Sequence, residues 1–162
     1  MNQRLLHLAL AAGAAVVLSG CSALGIPGDA PRDDAGAATA AARADAFAVK
    51  VGDCLQDPGQ EEVSAVRIIP CAEPHQMEVF HGFNLTQGEL PATDDEWSLI
   101  EEEMCDPAFA KFVGVSWLDS TLETSSLNPT PESWAEGDRE VLCMVAMPGF
   151  EETTGTLAGS KR

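Results

Sequence analysis

Residues 71–80, CAEPHQMEVF, are the stretch around which the folded part of this chain is organised. A cysteine, a turn and the start of a strand follow one another there. Pro74 favours a turn, because its ring fixes its own backbone angle φ and restricts the residue before it. The β-branched run 63–69, which Pro70 ends, precedes this turn, and 76–85 follows it as a second strand. The stretch therefore predicts a hairpin.

Alternation within 76–85 assigns the side chains to two faces of the predicted strand, because successive residues of a strand point to opposite sides. One face carries Met77, Val79, His81 and Phe83, and the other carries Glu78, Phe80 and Gly82.

Two further strands are predicted from their apolar patterns. Residues 47–55 alternate, carry β-branched residues and end in a turn, which indicates a first strand. Residues 139–147 are apolar at both parities, which is typical of a central strand that is covered on both faces. Thr130 is predicted to cap a single helical turn that begins at Pro131.

A longer helix is predicted to begin at the capping box that Thr93 and Glu96 form. Pro107 then kinks this helix or divides it into a helical hairpin, because the residue before a proline avoids the helical region. The apolar stripe of the first helical piece is predicted to consist of Trp97, Ile100 and Met104, with Cys105 beside Met104. The piece after Pro107 is predicted to bury Phe109 and Phe112.

Residues 1–20 have the features of a bacterial lipoprotein signal peptide. Arg4 is followed by the apolar run 5–18, which is shorter than the ~20 residues that cross a bilayer. The run ends in Leu-Ser-Gly-Cys, which resembles a lipobox and predicts acylation, with palmitate among the chains, at Cys21. Such chains hold a protein on a membrane, since each buried CH₂ contributes about 0.8 kcal/mol. An uncleaved anchor or a plain secretory signal is the alternative.

Residues 21–46 are rich in Ala, Gly, Pro and Asp and contain little that is large and apolar. Such a segment cannot offset the entropy of ordering it, so a flexible tether is predicted. The folded domain is expected to occupy residues 47–162.

The net charge argues against nucleic acid as a partner. It is −17 for the whole chain. Residues 1–20 contain one of the nine Lys/Arg and none of the 26 Asp/Glu, so the mature chain carries 8 − 26 = −18. Phosphate binding requires a basic surface, and this composition supplies none.

Apart from Cys21, the chain contains Cys54, Cys71, Cys105 and Cys143. An even number of cysteines in an exported domain indicates disulfides, for which four cysteines allow three connectivities. We favour Cys54 with Cys71 and Cys105 with Cys143. The short connections then predict an α+β fold, in which a small antiparallel sheet carries a kinked helix or helical hairpin on one face and two disulfides brace it.

His75 and Glu78 are the candidate polar site. Hydrogen bonding into the turn at Cys71 is the structural interpretation, and acid/base chemistry is the functional one. A metal site formed by Cys71 and His75 with Glu78 or His81 is a further alternative, but zinc ligands usually come in closer pairs. The sequence contains no GxSxG, HExxH or phosphate-loop motif. An enzyme is therefore unsupported, and no cofactor is predicted.

The whole set of elements resembles the septum-formation domain of actinobacterial lipoproteins and membrane proteins, over about residues 47–160. The resemblance lies in the four cysteines, in Trp134 and in VGDCL at 51–55, PH at 74–75, EV at 78–79, PT at 129–130, GDR at 137–139 and TGTLAGS at 154–160. It implies a disulfide-bonded module on the outer face of the cytoplasmic membrane.

The expected function is that of a lipid-anchored interaction module of the bacterial cell envelope, linked to septum formation or cell wall assembly. Cys21 would supply the contact with the membrane, and an envelope protein would be the partner. The first alternative is binding of a small molecule or wall fragment in a cleft near Trp117 and Trp134. The second is a hydrolase that uses His75 and Glu78.

Overall fold

The computed structural model of the chain describes residues 28–59 and 64–162. The strands are β1 Ala42–Asp45, β2 Cys54–Leu55, β3 Ala65–Ile69, β4 Met77–Asn84, β5 Glu123–Leu127 and β6 Glu140–Ala146. They form one curled six-stranded sheet in the order β1-β3-β2-β4-β6-β5, and all neighbours are antiparallel. The predicted hairpin of 63–69 with 76–85 is therefore wrong, because β2 pairs with both β3 and β4 and separates them. The helices are α1 Asp94–Val113 and α2 Pro131–Ala135, and short 3₁₀ turns lie at Ala46–Ala48, Trp117–Asp119 and Pro148–Phe150.

The predicted α+β class is confirmed, and both faces of the sheet are covered. The helix face, on which α1 lies, packs a cluster that includes Phe80, Phe109 and Val145. The rings of Phe80 and Phe109 meet edge to face, with their centroids 5.8 Å apart. The opposite face, which we call the inner face, buries a second cluster that includes Val79 and Met144. The predicted central strand β6 is accordingly buried from residue 141 to residue 146.

A β-bulge in β4 changes the face on which the second half of this strand presents its side chains. The register shifts between Val79 and His81, so Phe80 is an extra residue in the ladder. Met77 and Val79 pack on the inner face, whereas Phe83 joins Phe80 on the helix face. The prediction that His81 and Phe83 share a face with Met77 is therefore wrong, because strict alternation cannot anticipate a bulge.

A single helix, α1, runs through Pro107, so the chain does not form the helical hairpin that was one of the two predicted alternatives. Thr93 caps its start by accepting a hydrogen bond from the Glu96 amide, and Gly114 ends it at φ 93°. Pro107 is exposed, so its missing backbone hydrogen bond lies on the solvent side.

The buried stripe of α1 agrees only in part with the prediction. It consists of Cys105, Phe109 and Val113, at the i, i+4, i+8 spacing of one helix face. The predicted burial of Cys105 and Phe109 is confirmed, whereas Met104, which was predicted on the same stripe, is 38% exposed. The disulfide of Cys105 with Cys143 and the buried ring of Phe109 decide which side of the helix faces the sheet.

Both favoured disulfides are present in the structure. Cys54 on β2 pairs with Cys71 at a separation of 17 residues, and Cys105 on α1 pairs with Cys143 on β6 at a separation of 38. Closing loops of these lengths reduces the entropy of the unfolded chain, which stabilises the fold by about 3 and about 4 kcal/mol respectively.

The structure corrects the expectation of a flexible tether over residues 28–46. In this segment β1 pairs with β3, and Ala30 and Ala44 are buried in the inner cluster. The sequence argument counted large apolar residues, but small alanines pack closely against the sheet. Residues 21–27, Cys21 and the predicted signal peptide lie outside the described residues.

Arg32 fastens this N-terminal segment to the domain. Its guanidinium donates to both carboxylate oxygens of Asp53, at 2.6 and 2.9 Å, and also to the carbonyl of Ala48 at 3.1 Å. Asp53 is only 2% exposed. The hydrogen bond to Asp53 is the main cause that raises the pKa of Arg32 above its ordinary value. Burial acts in the opposite direction but is the smaller effect. The Arg32 guanidinium therefore stays charged at any physiological pH.

Two strand boundaries also differ from the prediction. Within 47–55, only Cys54–Leu55 forms a strand, because Ala46–Ala48 folds into a 3₁₀ turn and Gly52 adopts φ 94° in a second turn. Strand β3 begins at Ala65, and Val63 lies outside the described residues. Thr130 caps α2 at Pro131, as predicted.

We expect Arg32→Met to lower the free energy of unfolding by about 3 kcal/mol, because it leaves the buried Asp53 carboxylate without its charged partner. Urea unfolding measures this loss, and hydrogen exchange should show faster exchange of the amides of β1. Arg43→Met is the matched control, since Arg43 lies on β1 and is exposed. Equal losses in the two variants would contradict the fastening role.

We expect Asp106→Asn to stabilise the fold at pH 7 by about 0.2–0.5 kcal/mol, the usual size of a like-charge helix contact. Burial, and then the charges of Glu102 and Glu101, raise the pKa of Asp106 above its ordinary value of 3.8. The folded state therefore binds the proton more tightly than the unfolded state, and ionised Asp106 destabilises the fold.

This gain should be present at pH 7 and disappear below the ordinary pKa, where Asp106 is protonated in both states. Thermal unfolding at pH 7 and pH 3 measures it. Glu151→Gln, an exposed substitution outside the helix, is the control. A gain of the same size at pH 3 would contradict the electrostatic explanation.

Candidate functional site

His75 is completely buried, with 0% exposure. Its Nδ1 lies 2.8 Å from the carbonyl oxygen of Glu73. A carbonyl only accepts hydrogen bonds, so Nδ1 is the donor in this contact. Nε2 is buried and has no hydrogen-bond partner among the described residues. The backbone of His75 exchanges two hydrogen bonds with Thr153, at 3.0 and 2.8 Å.

Glu78 is 4% exposed, and both of its carboxylate oxygens are occupied. Oε1 accepts a hydrogen bond from the Thr156 hydroxyl at 2.6 Å. Oε2 accepts one from the Leu157 amide at 2.7 Å. Leu157 is itself buried in the cluster on the helix face. The carboxylate therefore holds the C-terminal segment against the sheet.

His75 and Glu78 thus act on the same C-terminal segment, but no hydrogen bond joins their side chains. The backbone adds a further contact nearby, since the Gly155 amide donates to the carbonyl of Cys71. The structure supports the structural interpretation of both residues. An acid/base pair would need a shared proton path and access to a substrate, and these hydrogen bonds provide neither.

The sulfurs of Cys54 and Cys71 and the carboxylate of Glu78 lie within 4.8 Å of one another. Metal binding by cysteine requires the thiolate. Here the two sulfurs are joined to each other, so they offer no thiolate to a cation. Of the metal ligands that the sequence suggested, Cys71 is therefore part of a disulfide, and Glu78 is a buried acid beside it. His81 takes no part in it and stacks on Phe83, with the ring centroids 6.0 Å apart.

A groove of about 450 Å³ opens on the inner face of the sheet. Its apolar lining is formed by Met77, Leu142 and Met144, which are almost fully buried, and by the half-buried Leu127. A cavity of this volume is within the range that binds small ligands or a few residues of a peptide.

Two parts of the chain form the walls of the groove. On one side lie β5, the loop that follows it and α2, including Ser125, Asn128 and Thr130. On the other side lie the turn at Phe47, residues 57–59 and Ser64. The groove therefore runs between β5 at one edge of the curled sheet and the ends of β1 and β3 near the other edge.

Five carboxylates line this groove and give it its charge. They are Asp57, Glu132, Glu136, Asp138 and Glu140. Asp57 and Asp138 also serve local turns, since they accept hydrogen bonds from the Gly59 amide and the Ser133 hydroxyl. None of the described lining residues is a lysine or an arginine.

Neither Trp117 nor Trp134 of the predicted cleft lines the groove, although Ser133, the neighbour of Trp134 on α2, does. Trp134 belongs to α2, but its ring is covered by the guanidinium of Arg139, with Cζ 3.5 Å from the ring centroid. Arg139 also donates to the carbonyl of Trp134 at 2.9 Å. Trp117 is 42% exposed on its own 3₁₀ turn.

Sequence reasoning missed the groove, although the chain carries a signal for it. Glu132, Glu136 and Glu140 recur at intervals of four residues, and the serine-rich strand β5 precedes them. Each of these features is common on a solvated surface. Only the curl of the sheet brings them together around Met77 and Met144.

Together, the fold and the site define a disulfide-braced α+β domain with an acidic groove over an apolar floor. Residues 51–162 match the family model described as "Septum formation". The match covers well over half of the chain, so the protein belongs to the septum formation family. This confirms the resemblance that the sequence showed.

Two proteins of Mycobacterium tuberculosis are similar to this chain over 111 residues, with 32% identity. One is from strain CDC 1551 / Oshkosh and the other from strain H37Rv, and each is described as an uncharacterized membrane protein. The match covers 62% of this chain and 24% of each relative, so the chain spans about a quarter of their length. No solved structure matches the chain.

The part of the chain that the structure describes contains no helix with both the length and the apolarity that crossing a bilayer requires. The acidic segment 101–103 of α1 shows why, because it interrupts the longest helix with three glutamates.

We expect Glu78→Ala to lower the free energy of unfolding by about 3 kcal/mol, because it leaves two donors, one of them the buried Leu157 amide, without a charged acceptor. Urea unfolding measures the loss, and hydrogen exchange should show that the Leu157 amide loses protection. Glu73→Ala is the control, since the Glu73 side chain is exposed. Retention of full stability and protection would contradict the structural role of Glu78.

Proposed function

We propose that this protein is an interaction module of the bacterial cell envelope, anchored by lipid at Cys21 on the outer face of the cytoplasmic membrane. In this proposal it takes part in septum formation or cell wall assembly through contacts with another envelope protein. The match of residues 51–162 to the septum formation family is the observation that carries it. The description of the relatives as membrane proteins supports the envelope location.

The disposition of the polar side chains favours binding over catalysis. Both oxygens of Glu78 and the Nδ1 of His75 are engaged in hydrogen bonds that hold the C-terminal segment and the turn before β4. A hydrolase would need these groups free to exchange protons with a substrate. Their substitution is therefore expected to act through stability, which separates this proposal from the hydrolase alternative.

Binding of a small molecule or wall fragment is the second candidate, and the groove of about 450 Å³ is the observation in its favour. Ligand sites are usually concave, mostly apolar and supplied with a few polar groups. The groove meets this description, but its carboxylates would repel anionic wall polymers. A ligand of this class would therefore be neutral or cationic.

The anchoring part of the proposal predicts that Cys21→Ala releases the protein from the membrane fraction into the medium. The same substitution should abolish labelling by a palmitate analogue, because the acylated thiol is lost. Ser22→Ala is the matched control and should change neither the membrane location nor the labelling by the palmitate analogue. Undiminished palmitate labelling of the Cys21→Ala protein would contradict lipidation at Cys21, and unimpaired function of a secreted form would contradict the need for an anchor.

Affinity capture of the intact protein from its own envelope, with mass spectrometry of the captured proteins, tests the interaction part. We expect an envelope protein of division or wall assembly to be enriched with the lipidated form. Enrichment of the same proteins with an unrelated lipoprotein would overturn the proposal.

A further inference from the structure

We infer that the acidic groove is a docking site for an extended segment of a partner protein that carries lysine or arginine at every second position. The segment adds as a strand beside β5. This inference deepens the proposed function, on which it rests, because it names the surface and the chemistry of the partner.

The first argument concerns the edge of the sheet. Strand β5 is the outermost strand on its side, next to β6 alone. Among the described residues, none of 123–127 makes a backbone hydrogen bond to any segment besides β6. One side of this strand therefore offers unpaired N–H and C=O groups, the arrangement that an added strand requires.

The other edge strand of the sheet, β1, is covered by the N-terminal segment of the chain, so the two edges differ. Gly28 forms a parallel bridge with Ala44 of β1. Arg32 holds the segment between them on the domain through Asp53. The N-terminal segment thus covers the β1 side, and the β5 side is left for another chain.

The second argument concerns the floor of the groove. Alternate residues of β5 face it, since Ser125 pairs with Met144 and Leu127 pairs with Leu142 on the inner face. In a strand added beside β5, every second side chain points into the groove in the same way. Methionines such as Met77 and Met144 accommodate different side-chain shapes because they are unbranched and polarizable.

The third argument concerns charge. Glu132, Glu136 and Glu140 are exposed at the groove. In the described part of the chain, the ion pairs involve only Arg32 and Lys50 as cations, so these three glutamates have none. Lysine and arginine place an apolar stem on an apolar floor and keep the charged end at the rim. Such a side chain fits a groove that has methionines on its floor and carboxylates at its rim.

Asn128 supplies an additional polar contact. It lines the groove directly after β5, and its side-chain oxygen is buried and has no hydrogen-bond partner in residues 28–59 and 64–162. An amide oxygen of this kind accepts a hydrogen bond from a backbone N–H or from a cationic side chain. A docked segment would satisfy this acceptor, which the described part of the chain leaves unsatisfied.

The test uses an acetylated and amidated octapeptide of alternating lysine and threonine, titrated into the isotope-labelled protein. Amide shifts in the NMR spectrum should change at β5 and α2, and binding should weaken as salt rises. A peptide with glutamate in place of lysine should not bind. Binding of both peptides, or shifts located elsewhere, would overturn the inference.

Two N-methylated versions of the peptide test the strand geometry. One carries methyl groups on the lysine amides and the other on the threonine amides. In an added strand, amides of one parity point at β5 and those of the other parity point away. One version should therefore lose binding and the other should retain it. Equal binding of the two versions, or of spermidine at the same concentration, would show a charge-driven site without strand addition and would overturn the inference.

A pair of double variants tests the residues. Glu132→Gln with Glu136→Gln should weaken peptide binding about tenfold, because two rim charges are removed. Glu102→Gln with Glu103→Gln removes the same charge from exposed positions on α1 and should change affinity less than twofold. Equal effects of the two pairs would overturn the assignment of the groove. Such a result would leave the envelope capture experiment unaffected, so failure of the groove and failure of the proposed function are distinguishable.

Discussion

The pairing of β4 with β6 is the interaction on which the rest of the structure depends. It runs from Met77 opposite Ala146 to Asn84 opposite Glu140. Side chains of both strands enter the cluster on the helix face and the cluster on the inner face. Because this pair is buried on both sides, it can carry a helix on one face and a curled sheet on the other.

The polar and sulfur-containing residues nearby fasten other elements to this pair. The disulfide of Cys143 attaches α1 to β6. The disulfide of Cys54 secures β2, which pairs with β4 directly opposite Glu78. The Glu78 carboxylate then holds the C-terminal segment. A buried acid must be fully hydrogen-bonded to be tolerated, and here the need for partners ties distant parts of the chain together.

The groove exists because the curled sheet does not close into a barrel. A sheet that closed into a barrel would have no free edge, but here the order ends at β1 on one side and β5 on the other. The edge at β1 is covered by the chain's own N-terminal segment, which Arg32 secures on Asp53. The edge at β5 borders an acidic groove with an apolar floor. In the described part of the chain, the two edges therefore differ in what covers them, and only the edge at β5 borders the groove.

The sequence by itself determined the α+β class, the expectation of two disulfides, the caps of both helices and the family. These follow from local patterns, from cysteine number and from motif spacing, which act over short stretches of chain. Only the tertiary structure decided which cysteines pair, the place of β2 between β3 and β4, the face change at Phe80, the order in residues 28–46 and the groove. The reason is that each of these depends on contacts between residues far apart in the chain, such as Arg32 with Asp53, which no local pattern encodes. The stretch 71–80 illustrates both kinds of feature. Its turn and the strand after it could be predicted from the local sequence. The hydrogen-bond partners of His75 and Glu78 in the C-terminal segment could not, because they lie some 80 residues further along the chain.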